Sequence, residues 1–184
     1  MNLPNKLTVL RMCMIPVFVV LAKIDVMWAQ VAAVAVYIAA CATDAMDGRI
    51  ARSRNLVTNF GKFMDPIADK LLVMSAMIVL TYQHRMPDWV CIIMLAREFL
   101  VSGFRLVAVE NGVVIAAGPL GKLKTVFQMT STIALLLFVS TTGEHLLGQF
   151  GYVLAYVLMY IALALTVVSG ADYILRNKDC IKDM

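Results

Sequence analysis

Asp44, Asp47, Asp65 and Asp69 fall within 26 residues, between two very apolar stretches, with Gly48 and Gly61 among them. The first pair is spaced i,i+3 and the second i,i+4, so each pair shares a face wherever its segment is helical. A hairpin of the two segments would bring all four carboxylates together. Four anions that close, beside lipid, need cations to hold them. Carboxylates are the hard ligands that Mg²⁺ or Mn²⁺ prefers, and two such ions would neutralise four aspartates. Paired metals clamp pyrophosphate-type substrates and stabilise the attacking and leaving oxygens. The expected chemistry is therefore divalent-metal handling of a phosphorylated substrate at a membrane surface. Zinc fits less well, because no His or Cys joins the cluster.

Each aspartate also has a plainer reading. Asp44 and Asp47 sit at a helix C-terminus, where the macrodipole disfavours negative charge, and Arg49, Arg52, Arg54 and Lys62 are at hand for an interfacial salt-bridge cluster. Asp65 can serve as an N-cap ahead of Pro66. Taken together, the glycines favour the ligand-handling alternative, since they let a bulky ligand or a facing helix come close.

The elements that must position these residues follow from hydropathy. Of 184 residues, 61% are hydrophobic and 15% charged, well beyond the apolar share of a soluble domain. The chain is expected to form one all-α, polytopic membrane domain over 1–184, with a short N-terminal interfacial segment and six transmembrane helices. The spans are placed at about 8–22, 28–45, 66–81, 89–109, 123–140 and 150–175, with polar connections at 46–64 and 110–122. The polar opening before Lys6 argues against a cleaved leader. Thirteen lysines and arginines fall on the side of the termini and the acidic motif, against two on the other. Both termini are thus expected in the cytoplasm.

The pattern D-x2-D-G-x2-A-R-x8-G-x3-D-x3-D is filled at every fixed position, and it resembles the signature of the CDP-alcohol phosphatidyltransferases. The resemblance implies a six-helix cytoplasmic-membrane enzyme, usually a homodimer, acting on CDP-diacylglycerol among membrane lipids. By matching position it implies Asp44, Asp47, Asp65 and Asp69 as ligands of two Mg²⁺ or Mn²⁺ ions. Asp69 would also be the general base, and Asp44, Gly48, Ala51, Arg52 and Gly61 would line the cytidine diphosphate pocket. No nucleic-acid partner is expected.

Three further stretches resemble the family members that accept sn-glycerol 3-phosphate. They are 2–8 with Arg11, Ala96-Arg97-Glu98 with Ser102 and Arg105, and 121–125. Arg105 at the depth of the aspartates suits a phosphate ligand. Lys122 and Lys124 can approach from across the cavity, although they and Lys70 can equally attract anionic headgroups. Arg97 in mid-helix costs about 2.5–3.5 kcal/mol unless partnered. Its partner is either the substrate, or Glu98 or another helix's polar group. Sister enzymes using another alcohol, such as in cardiolipin synthesis or with serine or inositol phosphate, remain alternatives. So does a small ion transporter, although its carboxylates would be expected near mid-bilayer and on several helices.

Other features have packing roles by expectation. Cys13, Cys41, Cys91 and Cys180 show no paired spacing and are expected to be reduced. Tyr152, Tyr156 and Tyr160 are expected to pack helices or face lipid. His84 and His145 belong to outer turns, and Gly103 and Gly170 are candidates for close helix contact.

Overall fold

A computed structural model describes residues 3–53, 59–110, 118–138 and 148–177; for 3–4, 45–53, 59–63, 66 and 110 it gives the backbone path alone. The described residues form six helices: α1 (Leu3–Lys23), α2 (Met27–Ser53), α3 (Asn59–Tyr82), α4 (Asp88–Glu110), α5 (Pro119–Phe138) and α6 (Gly148–Arg176). Among them α1, α2 and α6 contain stretches long and apolar enough to cross a membrane: Asn5–Lys23, Met27–Asp44 and Gly148–Arg176. Helices α3 and α4 interrupt their apolar runs with Asp69-Lys70 and Arg97-Glu98.

The largest departure from expectation is at the acidic motif. Helix α2 does not stop near 45 but runs on to Ser53, and α3 starts at Asn59 rather than at Pro66. Ala45, Met46, Ile50, Ala51 and Arg52 include good helix formers, and one glycine costs only about 1 kcal/mol in a helix interior. Asp65 is therefore inside α3 rather than its N-cap, which removes the capping alternative. Helix α1 likewise starts at Leu3 instead of after the polar opening, with Pro4 in the first turn, where its missing N–H costs nothing. The connection expected around 141–148 lies outside the described residues apart from Gly148.

Polar and charged side chains share the apolar core, and large apolar ones face outward. Thr8, Arg11, Lys124, Gln128, Ser131, Thr132, Thr166 and Ser169 are buried, while Val20, Ile78, Leu106 and Phe150 face outward. In hydrocarbon there is little to gain from hiding apolar groups, whereas an unsatisfied polar group is costly, so polar contacts go inside. Helix α1 packs on α2 and α3, α5 pairs with α6, and α4 leans on α6 and α3. Phe18 and Tyr37 meet at 5.5 Å between α1 and α2. Ala33 and Ala40 on α2, and Ala155 and Ala162 on α6, are fully or almost fully buried, which lets helix backbones come close.

The far end of the bundle is tied by the α3–α4 turn. Two residues past the end of α3, His84 is left-handed, and the Arg85 and Met86 amides return to the Leu80 carbonyl. Arg85, 2% exposed, donates to the Leu136 carbonyl at 3.1 Å and to the Gln30 side-chain oxygen at 2.9 Å. Leu136 is in the last turn of α5, whose carbonyls have no intrahelical donor. Gln83 donates to the Ala22 carbonyl at the end of α1. Cys13, Cys41 and Cys91 are free thiols; Cys91 is buried in the core and Cys13 is exposed, while Cys180 lies outside the described residues. Tyr152 and Tyr156 stack at 4.7 Å, and Tyr160 meets Trp89 at 6.3 Å, so this series packs as expected.

Candidate functional site

The acidic part of the site stands where α1, α2 and α3 meet. The buried face of α1 presents Thr8 and Arg11, one turn apart. Arg11 pairs with Asp44 at 2.5 Å, and the Thr8 hydroxyl donates to Asp65 at 2.6 Å. Asp44 is electrostatically coupled to both Asp65 and Asp69, so these three carboxylates share one field. The described residues contain no group of three or more His, Cys, Asp or Glu side chains in metal-holding geometry. Asp47, Gly48, Ala51, Arg52 and Gly61 are on helical backbone, but their surroundings lie outside what the structure describes. The observed partner of Asp44 is Arg11 on α1, a cation that motif spacing within α2 and α3 does not point to.

Asp69 also borders a cavity of about 740 Å³ enclosed by α3, α4, α5 and α6. Five cations line it (Lys70, Arg97, Arg105, Lys124 and Arg176) against the three carboxylates Asp69, Glu98 and Asp172. Such an excess of positive charge suits an anionic ligand.

The charged side chains are held from several helices. Lys70 of α3 hydrogen-bonds the Ser102 hydroxyl of α4, which itself donates to the Glu98 carbonyl at 2.6 Å. Lys124, on the buried face of α5, forms an ion pair with Glu98. Arg97 donates to Glu98 at 3.4 Å and to Ser169 of α6 at 3.0 Å, so its helix-partner alternative is realised while it also lines the cavity. The Arg105 guanidinium lies 6.0 Å from the Tyr173 ring centroid, and Phe104 meets that ring edge-on at 5.7 Å.

Of the residues expected to hold an acceptor phosphate, Arg97, Arg105 and Lys124 converge on the cavity, whereas Lys122 is exposed and outside its lining. A side chain added at Gly170 would meet Arg97, but one at Gly103 would meet nothing within 4 Å. Close contact is thus found at Gly170 and not at Gly103. Sequence reasoning overlooked Ser169, Asp172, Tyr173 and Arg176. They are on the last turns of an apolar helix far along the chain, and no local spacing links them to the motif. Lys70, expected only to attract anionic headgroups, lines the cavity directly after Asp69 on α3.

Buried charge, outward apolar faces and helices apolar enough to cross a membrane define a helical membrane protein with a basic cavity next to coupled aspartates. Residues 1–168 match the family model for CDP-alcohol phosphatidyltransferase. The chain belongs to the CDP-alcohol phosphatidyltransferase family and is a membrane transferase of phospholipid biosynthesis. It is 40% identical over 193 residues to a Bacillus subtilis protein described as CDP-diacylglycerol–glycerol-3-phosphate 3-phosphatidyltransferase, covering 98% of this chain and 97% of that one. Proteins of the same description are 40% identical over 172 residues in Rickettsia typhi, covering 94% of each chain, and 35% identical over 179 residues in Yersinia pestis, covering 95% and 93%.

Proposed function

We propose that this protein transfers the phosphatidyl group of CDP-diacylglycerol to sn-glycerol 3-phosphate, giving phosphatidylglycerophosphate and CMP. The observation that carries this reading is the cavity in which Asp69 adjoins an excess of lysine and arginine side chains. The acceptor phosphate lies against Arg105, whose planar fork suits phosphate oxygens, with Arg97 and Lys124 adding charge and Lys122 drawing the anion from the exposed side. That seat directs the acceptor hydroxyl toward Asp69, which takes its proton as the oxygen attacks the phosphorus bearing diacylglycerol. The bond from that phosphorus to the CMP oxygen breaks, and CMP leaves with the electron pair. Ala51, Arg52, Gly48, Gly61 and Asp44 line the cytidine diphosphate pocket in this reading.

The donor set suits a divalent cation. Asp44, Asp65 and Asp69 offer only hard oxygen ligands within one field, which is the donor chemistry a divalent cation takes. Asp44, Asp47, Asp65 and Asp69 would hold two Mg²⁺ or Mn²⁺ ions. Bound there, the ions supply charge stabilisation to the pyrophosphate oxygens as the transfer proceeds.

The working assembly in this proposal is a homodimer of six-span subunits in the cytoplasmic membrane, among its lipids, with both termini and the site on the cytoplasmic side. The distribution of lysine and arginine supports that orientation. The test is an acceptor panel: purified protein with Mg²⁺ or Mn²⁺ is expected to release CMP from CDP-diacylglycerol only when glycerol 3-phosphate is supplied. Release with serine or inositol phosphate instead would refute the acceptor while leaving the reaction class intact.

A further inference from the structure

Arg97 crosses from α4 to α6 over Gly170. A Cβ built on Gly170 would lie 3.0 Å from Arg97 Cγ and 3.4 Å from its Nε, so any side chain there takes space that the arginine stem occupies. The requirement is particular to this position, since Cβ atoms at Gly103, Gly118 and Gly121 would meet nothing within 4 Å. One residue before Gly170, Ser169 is 4% exposed and accepts the Nη2 proton at 3.0 Å, while its own hydroxyl donates to the Thr166 carbonyl at 3.3 Å. At the other edge Nη1 donates to Glu98, which is also paired with Lys124.

The guanidinium is therefore located by a gap beneath its stem and by one acceptor on each side. Two of its five N–H donors are accounted for in this way and the Nε–H is buried beside Gly170, which leaves the second proton of each Nη for a ligand in the cavity. We infer, resting on the acceptor assignment above, that Gly170 and Ser169 are positioning residues. Together they seat Arg97 where the phosphate of the acceptor is recognised, and so set acceptor affinity through the arginine.

Gly170→Ala forces the stem to shift by a few tenths of an ångström. The expected result is a rise of about threefold to tenfold in KM for glycerol 3-phosphate, with KM for CDP-diacylglycerol unchanged. Ser169→Ala removes one hydrogen bond with little change of shape and is expected to move the same KM in the same direction. If Gly170→Ala fails to fold, Ser169→Ala decides the matter. In an Arg97→Ala background neither substitution should add to the effect, because the side chain they seat is gone. Unchanged acceptor KM in folded variants, equal rises in both KM values, or full additivity with Arg97→Ala would overturn the inference. Wild-type protein that does not consume glycerol 3-phosphate would overturn the acceptor assignment and this inference with it.

Discussion

Arg11 on α1 reaches Asp44 on α2 at 2.5 Å, with the arginine side chain wholly buried and the carboxylate one-third exposed. The first helix thus supplies a positive charge to a carboxylate inside the second, since α2 continues past Asp44 to Ser53 and the aspartate does not sit at the helix end. Arg11→Met should lower stability by about 2–4 kcal/mol, less than a fully enclosed pair because Asp44 retains some solvent. The thermal midpoint of the purified protein checks this. Adding Asp44→Asn should recover part of the loss, since no unpaired charge then remains. An unchanged midpoint in Arg11→Met would show that the pair does not hold α1.

Asp69 borders the cavity and shares a field with Asp44. Asp69→Asn keeps the shape but removes the base, so CMP release should fall by about 10²–10⁴-fold. Binding of CDP-diacylglycerol, followed by titration, should be largely retained. Near-normal turnover in this variant would discard Asp69 as the base.

Arg105 lines the cavity against Tyr173. Losing a charge-assisted contact to phosphate should raise KM for glycerol 3-phosphate about tenfold to hundredfold in Arg105→Ala. Arg105→Lys should recover only part of it, because lysine lacks the planar fork. Steady-state kinetics with each substrate varied in turn separates the two. A larger change in KM for the lipid donor than for glycerol 3-phosphate would assign Arg105 to the other substrate.

Arg85 makes the contrasting case, a buried cation at the end of the bundle remote from the aspartates. Arg85→Met leaves the Leu136 carbonyl in the last turn of α5, and the Gln30 side-chain oxygen, without this donor. A cost of about 2–4 kcal/mol is expected, visible as a lower thermal midpoint. Both KM values of the remaining folded protein should stay at wild-type values. A selective change in acceptor KM would contradict the purely architectural role.

Six helices and an acidic motif were legible in the chain because hydropathy and carboxylate spacing are local properties. Helix ends were less so. The helical continuation of α2 to Ser53 and of α3 back to Asn59 was hidden by glycine, proline and charge, which commonly mark connections. The neighbour of Asp44 was hidden for a different reason: Arg11 is 33 residues away, and only the packing of α1 against α2 brings them together.

The sequence by itself determined the membrane class, the family signature and the types of ligand the site can offer, since these depend on composition and fixed spacing. Tertiary structure decided which charges meet. Arg97, Glu98 and Lys124 are joined to Ser169 by helices distant in the chain, and Gly170 matters only because α4 lays an arginine across it. Inside a bundle that faces hydrocarbon, buried charges such as Arg11 and Lys124 find partners on other helices, and no one-dimensional pattern records that pairing.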